Sequence, residues 1–266
     1  MSNTRPIILV DLDDTLFQTY RRITPTADFK AVTVDKHGET LAYMNPKQQK
    51  FVDWLWSSGK VLAVTARSPE ALSRVHLPFE HGAVCSHGST VLNADGTVNA
   101  DYQQLMVQQL DRYKDKFEQL MQAVLDTAKC FGSVRSWIVE EQNLQLYLVV
   151  KQNDTDGHTG LFLMDLLHAL PQEVLDGFYC HANGNNLAII PNPVSKANAA
   201  AFLLKQVLKV DEQDLILGYG DSLSDVAFLQ MCDWWGVPQL SQINRFVSHH
   251  VSDEYQKQGY FGDYRE

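Results

Sequence analysis

The hydrophobic positions near the two ends of the chain form short, predominantly apolar runs, which are typical of strands buried on both faces of a parallel sheet. These runs are Ile7–Val10, Lys60–Val64, 82–85 and 215–218. Between the first two, Asn45-Pro46 predicts a helix start and Gly59 its end, since Asn caps helices, Pro suits the first helical position and Gly follows the last turn. The pattern predicts a parallel α/β core.

The middle of the chain has a different pattern. Residues 105–129 predict one long amphipathic helix, and residues 134–140 and 144–151 alternate apolar with polar positions, as a half-exposed antiparallel pair does. A second helix at 160–170 and two more strands at 174–181 and 186–190 repeat the order. We therefore expect an inserted α+β domain at 87–191, between core segments 1–86 and 192–266.

Two features of the core remain open to interpretation. A hairpin is predicted at 31–44, within a segment, 18–44, that either leans over the strand ends and excludes water or is a surface embellishment. Four tryptophans flank predicted helix and strand positions, which favours burial in the core over a surface on which a ligand stacks: Trp54, Trp56, Trp234 and Trp235.

Composition and charge narrow the class of protein. The 266 residues carry 22 Lys plus Arg against 32 Asp plus Glu, a formal net charge of −10, which argues against a general nucleic-acid binder. No apolar run approaches the ~18 residues of a membrane span. The four cysteines are scattered without metal-ligand spacing, so we expect reduced thiols in a cytoplasmic protein.

Polar residues cluster where the predicted strands end. Each has an ordinary structural explanation, since an Asp or Thr after a strand is usually a turn or cap residue and a Lys near a helix start is usually solvated. Their placement on one sheet edge favours a joint role, because clustered carboxylates are unfavourable unless a cation neutralises them. Carboxylates without His or Cys spacing favour Mg²⁺. The residues are Asp11, Asp13, Thr65, Lys196, Asp221 and Asp225.

In their order, these residues resemble the haloacid dehalogenase superfamily. The segment 11–15, Asp-Leu-Asp-Asp-Thr after an apolar strand, resembles its first motif, and 220–225, Gly-Asp-Ser-Leu-Ser-Asp, its fourth. Thr65 and Lys196 resemble the second and third. The resemblance implies a Rossmann-like parallel core with an inserted α+β cap of the C2 type, similar to that of Cof-type, sucrose-phosphate and mannosyl-3-phosphoglycerate phosphatases.

The resemblance also implies a role for each residue. Asp11 would be the nucleophile that forms an aspartyl phosphate, and Asp13 the general acid and then base. Thr65 and Lys196 would bind the phosphoryl group. Mg²⁺ would be held by the Asp11 carboxylate, the main-chain carbonyl of Asp13, and the carboxylates of Asp221 and Asp225, the last directly or through water.

Three positions depart from the family pattern. Ser224 replaces an Asn usual before the last Asp, so we expect weaker support of the metal site without loss of activity. Ala66 replaces a Gly, and His87-Gly88 replaces Asn-Gly at the cap entrance. Substrate contacts are expected from Arg67, which could instead pair with a core carboxylate, and from a cap segment that could also be a plain turn; the cap candidates are Lys151, His181, Asn183, Asn185 and Asn186.

The sequence therefore predicts a Mg²⁺-dependent phosphatase that hydrolyses a small phosphorylated metabolite, most simply a sugar or polyol phosphate. No nucleic-acid or membrane partner is expected, and the oligomeric state stays open. Three alternatives remain: a phosphomutase of the same superfamily, a phospho-regulated receiver-like signalling module, and a non-catalytic protein that binds a phosphorylated ligand. Receiver domains are about half this length or less and have no insert, which weighs against the second.

Overall fold

The computed structural model describes residues 5–152, 161–183 and 186–258. The chain divides into two compact units, residues 1–99 with 196–266 and residues 100–195. The segment 87–92 stays with the first unit, because strand Thr90–Leu92 pairs with Ala83–Cys85, so the second unit begins later in the chain than 87. No helix in these ranges has both the length and the apolar character needed to cross a membrane.

The strands are, in chain order, β1 Ile7–Val10, β2 Gln18–Thr19, β3 Lys30–Val34, β4 Thr40–Met44, β5 Lys60–Val64, β6 Ala83–Cys85, β7 Thr90–Leu92, β8 Val134–Glu141, β9 Leu144–Gln152, β10 Phe178–Asn183, β11 Asn186–Pro191, β12 Ile216–Tyr219 and β13 Trp234–Gly236. They form three sheets, ordered β13-β12-β1-β5-β6-β7, β10-β11-β9-β8 and β2-β4-β3. In the six-stranded sheet every pair is parallel except β6 with β7. The four predicted buried strands are thus confirmed as members of one sheet.

The helices are α1 Pro46–Ser58, α2 Pro69–Ser73, α3 Ala100–Leu110, α4 Lys114–Ala128, α5 Leu161–Ala169, α6 Gln172–Leu175, α7 Lys196–Phe202, α8 Val226–Leu229 and α9 Gln242–Gln258. Helix α7 continues into a wider π-helical turn at Leu203–Val207. Two 3₁₀ turns, Ser86–Gly88 and Leu223–Asp225, lie next to the strand ends of the first unit.

Helix α1 has the ends that the sequence predicts. The Asn45 side chain accepts hydrogen bonds from the backbone N–H of Lys47 and of Gln48, at 2.9 and 3.0 Å, and the Gln48 side chain accepts one from Asn45 N–H at 3.0 Å. Gly59 caps the other end, where a Cβ atom would lie 2.5 Å from the Ile8 side chain. Only glycine therefore allows this helix end to contact β1 so closely.

The segment 18–44 belongs to the core. It supplies the sheet β2-β4-β3, and its buried residues Val32, Ala42 and Met44 join the same hydrophobic cluster as Val10 and Ala63 of the central strands. This packing rules out a surface embellishment, because the cluster would lose part of its buried apolar surface without the segment.

The second unit is the predicted α+β domain. Its sheet is antiparallel throughout, and its cluster joins helices to strands through Leu120, Val124, Leu148, Leu163 and Leu187. Two details were predicted wrongly. The helix at 105–129 is interrupted by a 3₁₀ turn at Asp111–Tyr113, and the strand at 174–181 starts only at Phe178, because α6 and Gly177 (φ +85°) precede it.

The prediction that the tryptophans lie in the core was wrong for three of the four. Trp54 is 47% exposed, Trp234 68% and Trp235 45%. Trp234 and Trp235 lie on β13, the end strand of the six-stranded sheet as described, where the strand is covered on fewer sides. Trp56 is partly buried, contacts Phe79 and donates its indole N–H to the carbonyl of Pro78 at 2.8 Å.

Candidate active site

The predicted site residues of the first unit follow strands that end side by side. Val10 at the end of β1 pairs with Ala63 of β5 and with Tyr219 of β12. Asp11 therefore follows the central strand directly, while Thr65 and Asp221 follow its two neighbours. Ligands of open parallel sheets bind at this carboxyl edge, so the topology places the candidate residues where a site is expected.

Lys196 links two carboxylates at this edge. Its ammonium Nζ lies 2.7 Å from Asp11 Oδ1 and 2.6 Å from Asp225 Oδ1, and all three side chains are buried. The hydroxyl of Thr15 donates to the other Asp11 oxygen, Oδ2, at 3.2 Å. Residues separated by 185 positions in the chain are thus joined by charge-assisted hydrogen bonds.

Asp225 is held from its other side by the loop that follows β12. Its Oδ2 accepts hydrogen bonds from the backbone N–H of Asp221 and of Ser222, at 3.1 and 2.9 Å, and from the Ser222 hydroxyl at 2.8 Å. Ser224 reaches this network through Ser222, with 2.8 Å between the two hydroxyl oxygens. Asp225 is therefore supported through Ser222, and Ser224 acts one step further away.

The carboxylates of Asp11, Asp221 and Asp225, the acidic cluster, fit a divalent cation. Each offers an oxygen within 4.8 Å of the others. One ammonium faces three carboxylates, which leaves two negative charges if all are ionised. Burial, followed by repulsion from Asp225, raises the pKa of Asp221 to about 7. Oxygen ligands with uncompensated negative charge suit Mg²⁺, and two of the three, those of Asp11 and Asp225, are buried.

Burial is also the main influence on the pKa values of Asp11 and Lys196. For Asp11 it raises the pKa well above the ordinary value, with Lys196 opposing and Asp225 adding to the rise. For Lys196 burial alone would lower the pKa, but Asp11 and Asp225 outweigh it and raise the pKa above its usual range. Lys196 thus remains charged, and a further cation would favour the ionised form of Asp11.

Asp13 pairs with Arg67 outside this cluster. The guanidinium donates two hydrogen bonds to it, from Nε at 2.7 Å and from Nη2 at 2.8 Å. The Arg67 side chain is 11% exposed, lies over the Phe17 ring at 5.2 Å and reaches the Thr33 hydroxyl at 3.4 Å. Of the two roles predicted for Arg67, the structure has the pairing with a core carboxylate.

Thr65 is buried at the end of β5. Its hydroxyl oxygen accepts a hydrogen bond from the backbone N–H of Arg67 at 3.1 Å, and its own backbone N–H donates to the carbonyl of Val84 at 2.9 Å. Among the residues that the structure describes, it makes no hydrogen bond to Asp11 or Lys196. Thr65 therefore lies at the predicted edge without joining the Lys196 network.

The predicted cap residues lie in the second unit. His181 is half-buried on β10 and pairs with Ala188. The backbone of Asn183 pairs with Asn186, which also pairs with Lys151 of β9. Asn185 lies outside the described residues. His181, Asn183, Asn186 and Lys151 lie toward one end of the antiparallel sheet.

Two contributors to the site were missed at the level of sequence. Thr15 contacts Asp11, and Ser222 contacts Asp225. Both belong to the motifs at 11–15 and 220–225, so motif membership was the available signal. A hydroxyl four residues after one Asp and another three before the second could have been expected to reach those carboxylates, but either would also cap a turn.

Solved structures resemble this chain over nearly its full length. The sucrose-phosphatase of Synechocystis sp. PCC6803, solved with sucrose and phosphate, is 14% identical over 94% of this chain and 98% of its own, with a TM-score of 0.53. A structure from Eubacterium rectale is 13% identical over 92% of this chain and 91% of its own, with a TM-score of 0.54. The C-terminal domain of the C. albicans trehalose-6-phosphate phosphatase is 14% identical over 98% of this chain and 79% of its own, with a TM-score of 0.50.

No family model and no curated protein sequence matches the chain. At these identities the structural comparisons show the fold. The expected resemblance to sucrose-phosphate phosphatases is confirmed at that level, and so is the predicted fold class, a Rossmann-like parallel sheet with an inserted α+β domain.

Removing divalent cations should make the stability of the protein depend on pH. Because the pKa of Asp221 rises from 3.8 to about 7 on folding, the folded state binds the proton more tightly, and stability is lost as pH increases through that window. We expect the unfolding temperature in a chelator to fall between about pH 4 and about pH 7, and the rise caused by Mg²⁺ to be larger at the higher pH.

Thermal unfolding with a chelator or with excess Mg²⁺ at both pH values measures this effect. Asp221→Asn should flatten the dependence, whereas Asp101→Asn, an exposed change with the same charge difference, should retain it. An equal Mg²⁺ effect at both pH values would contradict the assignment of the acidic cluster.

Proposed function

We propose that the protein is a Mg²⁺-dependent phosphatase that hydrolyses small phosphorylated metabolites through an aspartyl-phosphate intermediate on Asp11. The observation that carries the proposal is the buried Asp11–Lys196–Asp225 arrangement at the carboxyl edge of the parallel sheet, next to Asp221. It combines a nucleophile, a fixed positive charge for phosphoryl oxygens and a set of cation ligands.

Hydrolysis in this site would take two displacements. An Asp11 oxygen attacks phosphorus, the bond from phosphorus to the ester oxygen breaks, and Asp13 gives that oxygen a proton. A water then attacks phosphorus and gives its proton to Asp13, while the bond between phosphorus and Asp11 breaks. Bound to the acidic cluster, Mg²⁺ supplies charge neutralisation for the phosphoryl group.

The pairing of Asp13 with Arg67 sets a condition on the first displacement. Both Asp13 oxygens accept hydrogen bonds from the guanidinium, at 2.7 and 2.8 Å. To hold a proton for the ester oxygen, Asp13 must release Arg67 from at least one oxygen. Phe17 and Thr33 keep the guanidinium in place, so the carboxyl group, rather than Arg67, is the part that would rotate.

The class of substrate is supported by similar proteins. Two of the proteins with this fold are a sucrose-phosphatase and a trehalose-6-phosphate phosphatase domain. We assign the second unit the role of a C2-type cap that selects the substrate, with His181, Asn183 and Asn185 as candidate contacts to sugar or polyol hydroxyl groups. Asn and His side chains can both donate and accept hydrogen bonds, which suits such groups.

A screen of phosphorylated metabolites and one aryl phosphate, with Mg²⁺ or with a chelator, tests the proposal. We expect release of inorganic phosphate only with the cation and without a bisphosphate activator. Phosphate transfer that requires such an activator would favour the mutase. Absence of hydrolysis of every compound, in a protein that binds Mg²⁺, would favour the non-catalytic alternative.

Asp13→Asn should reduce turnover in a way that depends on the leaving group. Without a proton donor, a sugar alkoxide leaves poorly, whereas an aryl oxide needs little protonation. We expect roughly a hundredfold or greater loss of kcat for sugar phosphates and a smaller loss for an aryl phosphate. Steady-state kinetics of both substrates measure the difference, and equal losses would contradict the leaving-group role.

A further inference from the structure

A pocket of about 690 Å³ opens within the first unit beside the acidic cluster. Its wall includes Asp221, a member of the cluster, and Thr15, whose hydroxyl donates to Asp11 at 3.2 Å. A molecule in this pocket therefore lies next to the groups to which we assign the attack on phosphorus. We call this space the lateral pocket.

Three cationic side chains line the lateral pocket, and each comes from a different part of the chain. Arg22 follows β2, Lys47 lies in the first turn of α1, and Arg245 lies in the first turn of α9. Arg22 forms an ion pair with Asp14. Among the described residues, neither Lys47 nor Arg245 has a carboxylate within ion-pair distance, although Arg245 acts on Asp14 at longer range. Three cations face two carboxylates in the lining, those of Asp14 and Asp221, which leaves one positive charge when both acids are ionised.

Other side chains of the lining are apolar, and four more are amides, those of Gln18, Asn45, Gln48 and Gln239. Phe51 and Tyr219 contact each other edge to face, with 5.1 Å between ring centroids, and Val237, Pro238 and Leu240 are the other apolar residues of the lining. A carbon skeleton can pack on these side chains while a charged group meets the cations. The pocket thus offers a small amphiphilic anion both apolar surface and cations, and a neutral polyol would leave the cations without a partner from the ligand.

We propose that the lateral pocket binds a second anionic group of the substrate, so that the preferred substrates are phosphate monoesters that also carry a carboxylate or another phosphate. The inference rests on the proposed phosphatase function, since it takes Asp11 as the point where the first phosphoryl group reacts. Lysine and arginine then bind the second group through charge-assisted hydrogen bonds. Asp221 belongs to the metal site, so its charge is compensated separately.

Two matched pairs of compounds test the inference. D-Glycerol 3-phosphate with 3-phospho-D-glycerate, and sorbitol 6-phosphate with 6-phosphogluconate, differ within each pair only by a carboxylate in place of a hydroxymethyl group. For at least one pair we expect the acid to have the higher kcat/KM, by about tenfold or more, because a hydrogen bond between charged groups contributes that much discrimination. Equal kcat/KM values within both pairs would overturn the inference.

Variants assign the preference to the pocket. Lys47→Gln and Arg245→Gln should each lower the ratio of kcat/KM between acid and alcohol by about tenfold. Lys50→Gln, an exposed change on the same helix and outside the pocket lining, should keep the ratio. A preference that survives both pocket variants would also overturn the inference, because another part of the protein would then recognise the acid.

Binding measurements distinguish a failure of this inference from a failure of the proposed function. In Asp11→Asn with Mg²⁺, calorimetry with the same four compounds reports affinity without turnover. If an acid binds more tightly than its matching alcohol, and Lys47→Gln added to Asp11→Asn removes that difference, the pocket is supported. This holds even if the wild-type protein hydrolyses nothing, in which case only the proposed function fails. Hydrolysis with no preference in affinity or kcat/KM leaves the phosphatase in place and rejects the pocket.

Discussion

Asp11→Asn should abolish phosphate release while the protein stays folded. An amide is a poor nucleophile, so no phosphoenzyme can form, and we expect roughly a ten-thousandfold or greater loss of kcat. The fold should survive, because the Asn carbonyl oxygen can still accept the hydrogen bond from Lys196, which keeps Asp225 as its ionic partner.

Hydrolysis of an aryl phosphate and thermal unfolding, measured on the same preparation, check this result. Asp53→Asn, an exposed change on α1 with the same loss of charge, serves as the matched control and should behave like the wild type. Acid-stable retention of labelled phosphate by the wild type but not by the variant would support the intermediate. Phosphatase activity in the variant within about tenfold of the wild type would remove Asp11 from the role of nucleophile.

Lys196→Met should lower both stability and turnover. The substitution leaves Asp11 and Asp225 buried without their ammonium, and breaking a buried ion pair in this way costs about 3–5 kcal/mol. Catalysis should fall as well, because the same ammonium would reduce the repulsion between Asp11 and the anionic substrate. Urea unfolding measures the first effect and aryl phosphate hydrolysis the second.

A second substitution tests the electrostatic cause. Lys196→Met combined with Asp225→Asn removes one of the two stranded charges, so the double variant should be more stable than Lys196→Met alone although still impaired in turnover. Lys205→Met, an exposed lysine further along the same helical segment, should change the free energy of unfolding by about 0.5 kcal/mol or less. A comparably small loss in Lys196→Met would contradict the buried ion pair.

The elements that local chemistry controls could be predicted well from sequence. Ile7–Val10 forms a central strand, because a short apolar run followed at once by acidic residues is typical of a strand buried on both faces that ends at a polar edge. Helix α1 starts and ends as expected, since Asn45, Gln48 and Gly59 act through neighbours within a few residues. The long helix at 105–129 was predicted wrongly, because its apolar periodicity continues across the 3₁₀ turn at Asp111–Tyr113.

The candidate site also combines features that the sequence predicts with contacts that it does not predict. That Asp11, Asp221 and Lys196 share one sheet edge follows from the strand pattern and the motifs. The hydrogen-bond partners of these residues do not follow from the sequence, because they depend on side-chain positions and angles that residue spacing does not specify. Arg67 is the clearest case: the sequence left substrate binding and carboxylate pairing equally open, and only the structure shows the pair with Asp13 and the contacts to Phe17 and Thr33, while substrate binding stays a prediction.

The sequence by itself determined a parallel core, an inserted α+β unit and one sheet edge rich in acids, because periodicity, capping and strand ends are local properties that survive without a fold. Only the tertiary structure decided that Lys196 bridges Asp11 and Asp225, and that Arg22, Lys47 and Arg245 line one pocket. These contacts join segments far apart in the chain, and their distances depend on how every intervening helix and strand packs.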